Sequence, residues 1–285
     1  MTRYAKPETL DEALALLGDG AWRIVAGATD FYPALGNRPL RDDVLDINAI
    51  GELRGITQTE THFVLGARTT WTDVVRAELP SAFDVVKQAA REVGSVQIQN
   101  VATVAGNLCN ASPAADGVPA LLVLDAEVEL RSQNGTRFLK LGEFIVGNRR
   151  TTRRPDELMT AVRIPKTLSA GRSAFVKLGA RRYLVISIAM AAARLVLSLD
   201  GRIAEAAIAV GACSPVARRL GGLEAALAGQ RPDDIGQIVR DTAFEELSPI
   251  DDIRGSAAYR HEAAREIVAR AMLQAAGDPQ GRAAA

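Results

Sequence analysis

Cysteine and histidine are nearly missing: Cys109, Cys213, His62 and His261 are all there are in 285 residues. Two cysteines cannot supply the four ligands of an ordinary iron–sulfur cluster or structural zinc site. They give no disulfide framework, and a bridge is not expected in a reducing compartment. Neither histidine has a triad or metal-ligand set near it in sequence, so both read as structural or surface residues. No paired carboxylates or activated nucleophile stand out, so no catalytic residue and no metal ligand is expected on the chain. Neither charge dominates, with 34 Lys plus Arg against 34 Asp plus Glu, which gives no hint of a nucleic-acid or anionic-membrane partner. No apolar run approaches the roughly 18 residues of a membrane span. The opening MTRYAKPETLDEALALLGDG lacks a signal-peptide core, so a cytoplasmic protein is expected.

What is present is an ordinary globular composition, 48% hydrophobic and 24% charged, long enough for about two domains. Thr9 and Glu12 form a capping box before a helix with Leu10, Ala13, Leu14 and Leu17 on one face. Short strands follow at Arg23–Ala26, Val44–Ile47 and Phe63–Gly66. Thr70 or Thr72 caps a short helix, and Ser81 caps another with Phe83, Val86, Ala90 and Val93 on its apolar side. Thr103 to Asp116, rich in small residues, reads as a loop. A helix at Pro119–Leu124 precedes a strand pair, 127–130 and 136–139, turned by Asn134-Gly135, and a strand at Glu157–Ile164. A boundary is expected at Thr167–Arg172. Beyond it lie strands at 174–178 and 186–199, and a third at 203–210 after the Asp200-Gly201 turn. Helices follow on the Val216, Leu220, Leu223, Leu227 spacing and on the stripe from Ala264 to Ala275. Asp278 to Ala285 is expected to fray. The fold class is α+β: residues 1–166 in two subdomains, about 1–55 and 56–166, then a domain of antiparallel strands and helices over 172–277.

Two small-residue segments carry the chemistry. Ala26-Gly27-Ala28-Thr29-Asp30 and Thr103-Val104-Ala105-Gly106-Asn107-Leu108 each join a glycine to small neighbours and a hydroxyl or amide. Such backbone can approach a phosphate closely, because no side chain stands in the way. Taken singly, each is an ordinary tight turn. Neither is G-x-G-x-x-G or G-x-x-x-x-G-K-(S/T), so a Rossmann or P-loop site lacks support.

The string from Thr103 to Asp116, TVAGNLCNASPAAD, resembles the T-(I/V)-G-G-N-(I/L)-x-x-A-S-P-x-x-D segment of the FAD-binding medium subunits of molybdenum hydroxylases, the xanthine dehydrogenase and carbon monoxide dehydrogenase family. Ala26 to Asp30 is similar to that family's A-G-G-T-D loop. Phe175-Val176-Lys177-Leu178-Gly179-Ala180-Arg181-Arg182 resembles its F-x-K-x-x-x-R-R segment. The resemblance spans nearly the whole chain. It implies a two-subdomain FAD-binding fold of the PCMH, vanillyl-alcohol-oxidase-like type and an electron-transfer role. FAD would be held by Ile24, Val25, Ala26, Gly27, Ala28, Thr29, Asp30 and Phe31, and by Thr103, Val104, Ala105, Gly106 and Asn107. Asp116 would bond a polar part of the cofactor, Met159 would offer backbone, and Lys177 would lie near the isoalloxazine.

The same resemblance implies partners: a large subunit carrying molybdopterin and a small one with 2Fe–2S clusters, as a dimer of heterotrimers, with NAD or another external acceptor. An extra 4Fe–4S insertion found in some members is not expected here. Two alternatives stay open, a stand-alone flavin reductase or oxidase of this fold and a cofactor-free scaffold. Ala28 and Ala105 stand where the family usually has glycine. Alanine takes a positive φ less cheaply, so either those positions have negative φ or the cofactor sits differently. No aromatic precedes the second segment, where Val93 and Gly94 stand. Cys109 reads as a packing residue, Tyr183 as an ordinary surface tyrosine, and the basic run Arg149, Arg150, Arg153, Arg154 as a solvated loop.

Overall fold

The computed structural model describes residues 2–277; the tail expected to fray lies outside the described residues. The chain first builds a small parallel sheet, ordered Tyr4–Ala5, Val44–Asp46, Arg23–Val25. The helix Leu10–Asp19 covers it, started by Thr9, whose hydroxyl accepts from the Glu12 amide while Glu12 reaches back. Its buried face, Leu10, Ala13, Leu14 and Leu17, packs with Trp22, Leu45, Ile47 and, from the next unit, Leu158. Leu158 therefore ties the first unit to the second.

The second unit is a five-stranded antiparallel sheet in the order Ile56–Gln58, His62–Gly66, Leu158–Pro165, Glu127–Ser132, Gly135–Lys140. Gly135, at φ +130°, closes the Asn134-Gly135 hairpin. Trp71–Arg76, Asp84–Glu92, Val104–Asn110 and Gly117–Leu122 are among its helices. Thr70 makes a capping box with Asp73 and starts the first of these. Ser81 does not cap the second: it lies in a 3-10 turn, and its hydroxyl donates to the Gly171 carbonyl at 2.9 Å.

The third unit is a meander of Arg172–Leu178, Ala189–Leu197, Ile203–Gly211 and Arg218–Arg219, crossed by the helix Ala257–Ala276. Its alanine-rich middle strand is buried on both faces. Ala189, Ala191 and Ala193 pack with the long helix, whereas Met190 and Ala192 join the core of the second unit. Small side chains allow that sheet to be approached from both sides, which is why an alanine run is strand rather than helix here. Backbone contacts stitch the units: the Val85 amide donates to Ser173 Oγ at 2.9 Å and the Phe175 amide to Gln88 Oε1 at 2.7 Å.

The middle strand starts at Ala189, not Ile186, and Val216 precedes a two-residue strand rather than sitting on a helix. Short helices at Phe31–Leu35, Val96–Gln99 and Ile235–Asp241 have too few turns to leave a periodic signal. Among the described residues no helix is long and apolar enough to cross a membrane.

Candidate cofactor-binding cleft

The strand Arg23–Val25 runs off the edge of the parallel sheet into the turn 26–30, held by Asn48 Nδ2 donating to the Ala26 carbonyl at 2.8 Å. Gly27 is where this turn meets the second small-residue segment. A Cβ there would overlap the Val101 carbonyl and stand 2.9 Å from Ala102 Cα. Only glycine lets the two backbones touch. Ala28 then takes φ +57°, a left-handed conformation that L-residues with a Cβ resist. Asp30 opens the helix Phe31–Leu35, and the Arg23 guanidinium lies 4.4 Å over the Phe31 ring.

The second segment is not a loop. Thr103 is the N-cap of the helix Val104–Asn110, and its hydroxyl accepts from the Gly106 amide at 3.0 Å. The Val104 amide donates to the Thr69 carbonyl at 3.0 Å and the Trp71 amide to Ala102 at 3.1 Å, fixing the helix start against the neighbouring helix. Ala105 is therefore helical and unstrained. The helix ends at Ala111, φ +47°, whose carbonyl accepts from the Arg149 amide at 2.9 Å.

Between the two segments opens a cleft of about 500 Å³, within the range of small-molecule sites. Ile24 to Phe31, Thr103, Ala105, Gly106, Asn107 and Met159 line it. Val104, Asp116 and Lys177 do not. Val104 turns into the core of the second unit, fully buried. Lys177 Nζ lies 2.7 Å from Asp116 Oδ2 and 3.1 Å from the Glu92 carbonyl, and Ser187 Oγ donates to Asp116 Oδ1 at 2.6 Å. Both Asp116 oxygens are thus engaged by the chain itself. Burial pushes this carboxyl above its usual range, against the pull of Lys177 and Ser187.

Several lining residues carried no signal in the sequence. Trp22, Trp71, Ile98 and Leu158 reach the cleft too, and only tertiary structure collects them; Arg153, expected in a solvated basic loop, also lines it. Cys109 and Asn110 complete the helix face that begins at Gly106. Cys109 is exposed, not packed. Desolvation by the atoms around it pushes the thiol up to about 11, with Arg153 pulling it down in part. Tyr183 is exposed and lies outside the lining.

Two lining residues each carry a side-chain polar atom buried without a partner, Asn107 Oδ1, which lies beside Gly117, and Trp71 Nε1. Orphans of this kind are rare in finished cores and common where a ligand completes the bonding. The small residues of the two segments, which leave main chain open along the cleft, suit the diphosphate of a dinucleotide.

Comparison with known proteins places the chain in a family. Residues 1–167 match the family model described as the FAD binding domain in molybdopterin dehydrogenase, and residues 174–275 match the CO dehydrogenase flavoprotein C-terminal domain. The chain is 40% identical over 193 residues, 65% of each chain, to the nicotinate dehydrogenase FAD-subunit of Eubacterium barkeri. It is 29% identical over 280 residues to the glyceraldehyde dehydrogenase medium chain of Sulfolobus acidocaldarius, covering 96% of this chain and 98% of the relative. A chain of Cu,Mo-CO dehydrogenase in its cyanide-inactivated form superposes with TM-score 0.90 at 27% identity over 97% of this chain and 98% of that one. Two flavoprotein family models that together span nearly the whole chain make it a member of the FAD-binding medium-subunit family of the molybdenum hydroxylases, and so an oxidoreductase subunit whose cofactor is FAD.

Proposed function

We propose that the chain holds FAD in this cleft and relays electrons from the 2Fe–2S clusters of a small partner subunit to an external acceptor such as NAD, while a large molybdopterin subunit oxidises the substrate. The observation that carries this reading is the contact of Gly27 with the Val101–Ala102 backbone, which brings two distant segments to one cleft. Bound FAD supplies the ability to take electrons singly and give them up as a pair. The chain's own work is to bind and orient. The turn 26–30 and the helix Val104–Asn110 present backbone and small side chains to the diphosphate. Asn107, on the same helix, and Met159 would contact other parts of the cofactor. The Asp116–Lys177–Ser187 network fastens the third unit to the second beside the cleft.

The relatives act on nicotinate and glyceraldehyde. That diversity on one flavin fold fits a substrate site on another subunit. A cytoplasmic assembly of two such heterotrimers is the setting proposed. The test begins with an absorption spectrum of the purified chain, in which bound flavin shows a band near roughly 450 nm. It continues with the assembled complex, where reduced small subunit should bleach that band and NAD should restore it. A colourless protein that takes up no FAD would defeat the whole reading. A coloured one that the small subunit cannot bleach would defeat the relay alone.

A further inference from the structure

Among the residues lining the cleft there are two cations, Arg23 and Arg153. Arg23 is committed, to Asp42 at 3.0 Å and to the face of Phe31. Arg153 is held differently. Its Nη1 donates to the carbonyls of Glu157 at 2.6 Å, Arg154 at 3.0 Å and Pro155 at 3.4 Å. Three carbonyls fix the guanidinium in place and leave its charge without a counter-ion, because among the described residues no carboxylate pairs with it; Glu157 itself is taken by Arg137 at 2.5 Å. The charge faces Cys109, whose thiol it pulls downward. Cys109 stands one helical turn from Gly106, so both lie on the face that lines the cleft.

We propose that Arg153 is the cation that recognises the diphosphate of the dinucleotide, resting on the reading of the cleft as the FAD site. A buried diphosphate carries two negative charges and needs a counter-charge as well as amides. Of the two lining cations, only Arg153 has no carboxylate partner among the described residues. Arg153 is fixed, unpaired by acid and set beside the bare helix face.

The test uses the full chain, purified with whatever subunits accompany it and then freed of flavin. Binding of FAD and of riboflavin is measured for the wild type, Arg153→Gln and Arg153→Lys across a salt series. Arg153→Gln should weaken FAD about tenfold or more, the size of one charge-assisted hydrogen bond, and leave riboflavin unchanged. Its FAD affinity should also respond less steeply to salt, and Arg153→Lys should recover part of the loss. Wild-type affinity for FAD in Arg153→Gln overturns the proposal and leaves the cleft reading standing. An equal loss for FAD and riboflavin overturns it too, by making Arg153 a brace for the 153–157 turn. A selective effect on NAD would assign its diphosphate to the acceptor and likewise overturn it. If the wild type binds no FAD at all, the cleft reading fails first.

Discussion

Ala28 and Ala105 stand where related motifs carry glycine, yet the two segments treat the extra methyl in opposite ways. The first stays an irregular turn, and Ala28 sits at φ +57°. The second winds into the helix Val104–Asn110, where Ala105 is 4% exposed and its backbone ordinary. The glycines differ in the same manner. Gly27 is boxed in by the backbone of Val101 and Ala102, whereas a Cβ at Gly106 would meet one atom, Thr103 Oγ1, at 2.8 Å. One segment is therefore shaped by what it touches, the other by helix geometry. A single motif pattern hides both, since small residues are demanded by close approach in one place and merely tolerated in the other.

The sharpest way to break this contrast is to add the same methyl at both glycines. Gly27→Ala should destabilise by about 3 kcal/mol or more and abolish FAD retention, because two stretches of backbone must part. Gly106→Ala should leave folding stability near neutral. It gains about 1 kcal/mol of helix propensity and loses about as much by crowding the Thr103 cap. Flavin content and urea unfolding of the two variants check both. Equal losses would mean that the two glycines serve the same end, and the distinction between touching turn and capped helix would be lost.

A smaller effect tests the helix by itself. Thr103→Ala removes the hydroxyl that accepts from Gly106 and should cost about 1 kcal/mol, seen as a lower unfolding midpoint. Thr103→Ser should restore most of it. This helix also shows where sequence reading stops. Its residues Val104-Ala105-Gly106-Asn107-Leu108-Cys109-Asn110 include glycine and two asparagines, all weak helix formers, and seven residues give under two turns. The remaining signal was Thr103 followed by Val104 and Leu108, both fully buried, too little to outweigh composition. Elsewhere the pattern was legible where it was local. The Thr9–Glu12 box, the Asn134-Gly135 hairpin and the Asp200-Gly201 turn are read from adjacent residues and stand as expected. The cleft was legible only along its two motifs. Trp71, at the start of a helix, and Arg153, in a loop, come to it through tertiary packing, and no spacing in the chain announces that. The Asp116–Lys177 pair shows the reverse: both residues were legible as polar and near the cofactor motifs, but not that each would satisfy the other.

The finest test reverses the methyl at the two alanines. At Ala28 the left-handed backbone carries a strain of about 1–2 kcal/mol for a residue with a Cβ. Glycine removes that strain but frees the unfolded chain, at a cost of about 0.4–1 kcal/mol. Ala28→Gly should therefore stabilise by a few tenths to about 1 kcal/mol. At Ala105 no strain exists to relieve, and glycine in a helix interior loses about 1 kcal/mol. Ala105→Gly should thus destabilise, with the buried methyl adding to the loss. The prediction lies in the signs more than in the sizes, and chemical denaturation of the flavin-free chain resolves them. If both variants shift stability the same way, Ala28 is not strained, and the turn's fit to a diphosphate has to be rebuilt on a different backbone.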